Sequence, residues 1–87
     1  MAQPADHNNK DKQVRITVNG DFVVVDEKKL TGSEIKAAAI AAGVGIAVDF
    51  VLSEVRPNGE QRIVPDDKDI VVKDGDEFWA IPGDDNS

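Results

Sequence analysis

Leu30-Thr-Gly-Ser-Glu-Ile-Lys-Ala-Ala-Ala-Ile-Ala-Ala-Gly43 is the stretch on which the fold turns. Thr31 can cap a helix while Glu34, three residues on, reaches back to it, which together make a capping box. Leu30 before the cap and Ile35 in the first turn can close a hydrophobic staple. The body, Ile35 to Ala42, is rich in alanine, the best helix former. Its apolar seam of Ile35, Ala39 and Ala42 is narrow, so the helix is expected to lie close against a sheet. Gly43 ends it as a left-handed cap, where a residue without Cβ meets no penalty.

On the N-terminal side of this helix, Val14, Ile16 and Val18 alternate with Arg15 and Thr17, the period-two signature of a half-buried strand. Asn19-Gly20 comes next, a two-residue hairpin signal because both residues tolerate positive φ. Phe22 to Val25 returns as the second strand. On the C-terminal side, Val48, Phe50 and Leu52 alternate with Asp49, Val51 and Ser53 and predict a third strand. Pro57-Asn-Gly59 marks a turn, and Gln61 to Val64 a short return strand. Pro65-Asp-Asp-Lys68 is a break, Ile70 to Val72 a short apolar element, Asp74-Gly75 a turn, and Phe78 to Ile81 the last strand. A helix between two hairpins must cross one face of a mixed sheet. The first and last strands can then pair in parallel at its centre, with the second strand outside the first. The element order fits several α+β folds, and the one expected is a ubiquitin-like β-grasp: a mixed sheet of four to five strands with one helix packed across one face. Residues 1–12 are polar and charged and read as a disordered N-terminal arm. Residues 13–83 form the domain, and 84–87 read as a removable extension.

With 87 residues, 40% of them apolar, the chain holds one domain with a modest core. A net charge of -7 opposes binding to nucleic acid phosphates and favours basic protein partners, or simply serves solubility. The absence of cysteine removes disulfides, thiolate zinc sites and a cysteine nucleophile, and fits a reducing cytoplasm. No stretch approaches the ~20 apolar residues of a membrane span. His7 is the single histidine and no serine or cysteine triad surrounds it, so the chain is read as no enzyme. Asp66, Asp67, Asp69, Asp74, Asp76 and Glu77 do not follow the spacing of a calcium loop, and turn chemistry explains them better. No metal or cofactor is therefore expected. Lys28, Lys29, Lys36, Lys68 and Lys73 read as surface lysines, any of which could accept a modifier.

Val18-Asn-Gly20, Leu30-Thr-Gly-Ser-Glu-Ile35, Ala42-Gly43, the Asp66-Asp67 break, and Phe78 with Pro82 resemble the bacterial multiubiquitin family of ubiquitin-like domains. The resemblance spans about residues 14 to 83. Domains of this family are typically encoded beside an activating enzyme, a conjugating enzyme and a JAB-type metalloprotease, in ubiquitination-like operons connected with antiphage defence. It implies a cytoplasmic, monomeric protein modifier, trimmed after Gly83, adenylated, and conjugated through those enzymes to a target protein. A glycine suits that end because no side chain obstructs its carbonyl in a narrow enzyme channel. Two departures stand out: many members carry tandem domains, and ubiquitin ends in two glycines where this chain has Gly83 alone. Rival readings are a non-covalent adaptor with the same fold and, third, a sulfur carrier, a role that usually goes with a terminal Gly-Gly.

The hairpin register distributes the strand residues between two faces. Val14, Ile16, Val23 and Val25 fall under the helix, and Phe22 and Val24 point outward with Arg15 and Thr17. Phe50, Leu52, Phe78 and Ala80 belong to the core face. Val51, Trp79 and Ile81 fall on the open face near the C-terminus, and an exposed aromatic flanked by aliphatics there is a candidate partner-binding patch.

Overall fold

The structure is a computed structural model, and it describes residues 13–83. The expected arm (1–12) with His7, and the extension (84–87), lie outside the described residues. Strands β1 (Val14–Val18) and β2 (Asp21–Val25) form the first hairpin. Asn19 at φ 55° and Gly20 at φ 86° supply its turn, and β1 and β2 pair in register from Val14 with Val25 to Val18 with Asp21. A short strand β3 (Lys29–Thr31) leads directly into helix α1 (Gly32–Ala41). Then come β4 (Val51–Val55), β5 (Gln61–Val64), β6 (Asp69–Val71) and β7 (Glu77–Ile81). The main sheet has the order β2-β1-β7-β4-β5, with β1 parallel to β7 and the other neighbours antiparallel. The expected architecture is therefore present, with the last strand at the centre of a mixed sheet.

The helix begins as the sequence dictates. The Thr31 hydroxyl accepts from the Glu34 amide at 3.1 Å, and the Glu34 carboxylate accepts from the Thr31 amide at 2.9 Å. It ends in a Schellman motif: the Gly43 amide donates to Ile40 O and the Val44 amide to Ala39 O, with Gly43 at φ 95°. This close corrects the expected seam. Ala42 is the exposed C-cap, and Val44, turned back by the motif, takes the buried place assigned to it. Ile35 and Ala39 are buried as read, with Val14, Ile16, Val18, Val23, Val25, Leu52, Phe78 and Ala80 in the same core.

Two more expectations are corrected. The third strand does not begin at Val48: Val48 and Asp49 form a turn, Val48 is 68% exposed, and β4 starts at Val51. The alternation has the right parity, since Leu52 is buried and Phe50 packs partly on the core, but it extends three residues beyond the ladder. The short apolar element is a strand displaced by one residue, β6, which pairs antiparallel with the unexpected β3 in a separate two-stranded sheet. Just after β6 the Val72 amide donates to Lys28 O, and its side chain is fully buried in the core.

Gly32 opens α1 where its backbone meets the chain after β5. A Cβ there would lie 2.5 Å from Pro65 O and 2.7 Å from Val64 O. Both are backbone atoms that cannot rotate away, so the approach is reserved for glycine by space rather than by φ. Gly32→Ala is expected to cost about 2 kcal/mol, at the middle of the range for overpacked sites. Urea unfolding checks it, and an unchanged midpoint would show that the α1–Pro65 contact yields freely.

Candidate attachment end and open sheet face

The route to the C-terminus is built by hydrogen bonds between β1 and β7. The parallel ladder pairs Thr17 with Glu77 and Val18 with Phe78, the Thr17 amide donates to Asp76 O, and the Asn19 amide donates to Phe78 O. β1 then turns away at Asn19-Gly20 while β7 continues. The Asn19 side chain carries the pairing further: its Oδ1 accepts from the Ala80 amide at 2.7 Å and its Nδ2 donates to Ala80 O at 3.1 Å. A side-chain amide thus stands in for the next residue of a strand, and it holds β7 straight three residues before Gly83. Sequence reading assigns Asn19 to the turn alone. Its second role had no separate signal, because asparagine suits both.

On the other side β7 is held by β4, in a register from Val55 opposite Glu77 to Val51 opposite Ile81. Gly83 is exposed, yet it stays close to the body. A Cβ there would stand 3.3 Å from Asp49 O and 3.6 Å from Val51 Cγ2. No hydrogen bond joins Gly83 to Asp49 among the described residues. Gly83 therefore lies alongside the segment before β4.

That segment is fixed from below by Lys36, one of the lysines read as a surface side chain. The structure places it in the interior at 2% exposure. Its ammonium donates to Val48 O at 2.6 Å and Phe50 O at 2.7 Å, and pairs with Asp66 Oδ1 at 2.8 Å. Three donors meet three acceptors, which is what a buried ammonium requires. Lys36 adjoins Ile35 on the helix face turned inward, and its stem covers apolar surface while its head reaches backbone carbonyls. A lysine beside the seam is the available hint, but the carbonyl pair that holds it forms only in the folded loop.

Val51, Trp79 and Ile81 come together on the face of the sheet away from α1. Val51 is half-buried opposite Ile81, which is 57% exposed, while Trp79 is 41% exposed beside Ser53. The Trp79 indole donates to Glu77 Oε2 at 2.7 Å, which satisfies its polar edge and leaves the ring face open. Ile63, 67% exposed and paired across β4's Ser53, extends the apolar row onto β5. Sequence reading missed it, although burial of Val64 by period two puts Ile63 on the open face. At the far side of the same face Arg15 lies 5.3 Å over the Phe22 ring.

The carboxylates that precede β7, at the end of that strand away from Gly83, serve turns. Asp74 accepts from the Arg15 amide and Asp76 from the Lys73 amide, both within 2.9 Å. No helix among the described residues is long and apolar enough to cross a membrane.

A five-stranded mixed sheet gripping one helix, with its central strand running out toward Gly83, defines a ubiquitin-like module. The chain belongs to the Multiubiquitin family, whose model matches residues 14–82. No curated protein and no solved structure matches the chain. The family match takes in the scaffold and the whole open face and stops one residue short of Gly83.

Proposed function

We propose that this domain is a protein modifier and not an enzyme, working in the bacterial cytoplasm within a ubiquitination-like, antiphage system. A JAB-type peptidase cuts after Gly83 and removes Asp84 to Ser87. The freed Gly83 carboxylate attacks the α-phosphorus of ATP on an activating enzyme, and pyrophosphate leaves. The acyl-adenylate is then open to a thiol of the enzymes, with loss of AMP, and the conjugating enzyme passes the acyl group to a nucleophile of the target protein. The observation that supports this most is the placement of β7: the central strand, held on both sides, delivers an exposed glycine at a fixed place on the domain. Trimming tests it directly. Incubation with the cognate metalloprotease is expected to reduce the chain's mass by Asp84 to Ser87, and a chain that stays whole contradicts the reading.

In this reading Val51, Trp79 and Ile81 guide the enzymes to the end they act on. Trp79→Ala is expected to keep the fold, since the ring is partly exposed, and to weaken binding to the activating or conjugating enzyme by about 2 kcal/mol, roughly 30-fold. Titration calorimetry checks this, and full affinity in a folded variant removes the patch from recognition.

One observation favours a second reading, the non-covalent adaptor. Gly83 runs against Asp49 instead of standing clear of the domain. An adaptor would use the same open face and keep its C-terminal residues.

A further inference from the structure

We propose a second interaction surface, independent of the fate of Gly83. The outer edge of β2, with the groove between it and α1, takes an extended segment of another protein, apolar at alternate positions and flanked by lysine or arginine.

The edge comes first. β2 is the terminal strand of the main sheet and, among the described residues, pairs with β1 alone. With a two-residue turn, Val18 and Asp21 form the hydrogen-bonded pair next to it. The alternation of an antiparallel ladder then directs the backbone groups of Phe22 and Val24 away from β1, toward the open side. Such a row of unpaired amides and carbonyls is a template for another strand. Proteins usually blunt an edge with lysine, proline or a bulge. Asp21–Val25 has no lysine and no proline, and its register with β1 runs unbroken over five pairs. The opposite edge is treated differently, since β5 carries Arg62 and runs into Pro65.

The groove supplies the side-chain site. Beside the edge lies an open hollow of about 550 Å³, lined on its apolar part by Leu30, Ala38, Ala41 and Ala42. Past Glu34 the helix offers only the methyl groups of Ala38 and Ala41 here, and the space is what larger side chains would have filled. An added strand would project every second side chain into this hollow and the others over Phe22 and Val24. That is strand addition, in which main-chain bonds give affinity and alternate pockets give specificity.

Charge selects the flanks. Asp26, Glu27 and Glu34 line the same groove, and no basic side chain does. The net charge of -7 steers basic segments toward it and repels acidic ones. A second copy of this chain would bring two such acid groups together. Met1 to Lys12 contains no run of alternating apolar residues to fill the hollow.

The test uses the full 87-residue chain and the labelled peptide Lys-Arg-Ile-Thr-Val-Thr-Ile-Arg-Lys, titrated by fluorescence anisotropy. Saturable binding is expected, with the Phe22 and Val24 amides gaining at least about tenfold protection from hydrogen exchange. Replacing the peptide's basic residues by glutamate, or Ala38 by leucine in the chain, is expected to weaken binding at least about tenfold each. Glu27→Lys, which leaves the groove's shape alone, gives the same direction. The proposal is overturned if no saturable binding occurs below about 1 mM, or if the acidic peptide binds equally well. It also fails if Ala38→Leu changes nothing, if protection falls on Trp79 and Ile81 instead, or if the chain closes the edge by forming a dimer.

Discussion

Lys36→Met is expected to destabilise the domain by about 3 kcal/mol, because removing one member of a buried ionic group strands the others. Methionine keeps the length and packing of the stem, so the loss isolates the ammonium. What it strands is chiefly the pair of carbonyls on Val48 and Phe50, each left without its charged donor beneath the turn. Asp66 contributes less. It is 64% exposed, and an exposed partner is solvated when the pair is broken. Asp66→Asn is therefore expected to cost under about 1 kcal/mol. For a domain of this size the Lys36→Met loss corresponds to a fall in Tm of roughly 15 °C. Thermal unfolding of the two variants decides the matter: equal losses would move the energetic weight from the carbonyls to the salt bridge. A negligible loss in Lys36→Met would show that water replaces the ammonium without cost. Lys36 also cannot accept a modifier in the folded state, so any chain built on this domain must use another lysine.

The second large effect is functional. Gly83→Ala is expected to slow trimming by roughly 100-fold, the scale on which an ångström of misplacement at a reacting carbonyl acts. Stability is expected to hardly change. The added methyl would meet Asp49 O at 3.3 Å and Val51 Cγ2 at 3.6 Å, a contact that a small shift of the chain end relieves. This separates Gly83 from Gly32, where the same methyl meets fixed backbone at 2.5 Å and the consequence falls on folding. Intact-mass analysis over a time course with the metalloprotease reads the rate. If the variant is trimmed as fast as the parent, the cleft does not require a glycine at this position.

The hairpin and helix were legible because their signals are local and agree with one another. Asn19-Gly20 fixes a two-residue loop, and that loop fixes which side of the sheet every residue from Val14 to Val25 occupies. Thr31 and Glu34 mark the helix start from both directions. The helix position and strand order together imply the parallel β1–β7 pairing. The open face was legible by the same parity, since Phe78 and Ala80 are buried and Trp79 and Ile81 are not.

What remained hidden depends on contacts between distant segments. The three residues of β3 are too few to show a period, and their partner β6 stands about forty residues away in sequence. Val48 continues the alternation of Phe50 and Leu52, but Lys36 binds the carbonyls of this stretch and holds it as a turn instead. Gly32 reads as an ordinary first residue of a helix until Pro65 is seen against it. Asn19 serves its turn and also Ala80, sixty-one residues on, and only the first role has a local mark.

Activation by ATP is the most direct test of the proposal that the central strand presents one acylating glycine. Two versions of the chain, one ending at Gly83 and one at Ser87, are incubated with the activating enzyme and ATP, and pyrophosphate release is monitored. Release that requires the Gly83 end, with an AMP ester formed on that carboxylate, is the predicted result. Equal release from both versions, or none from either while both still bind the enzyme, would contradict it.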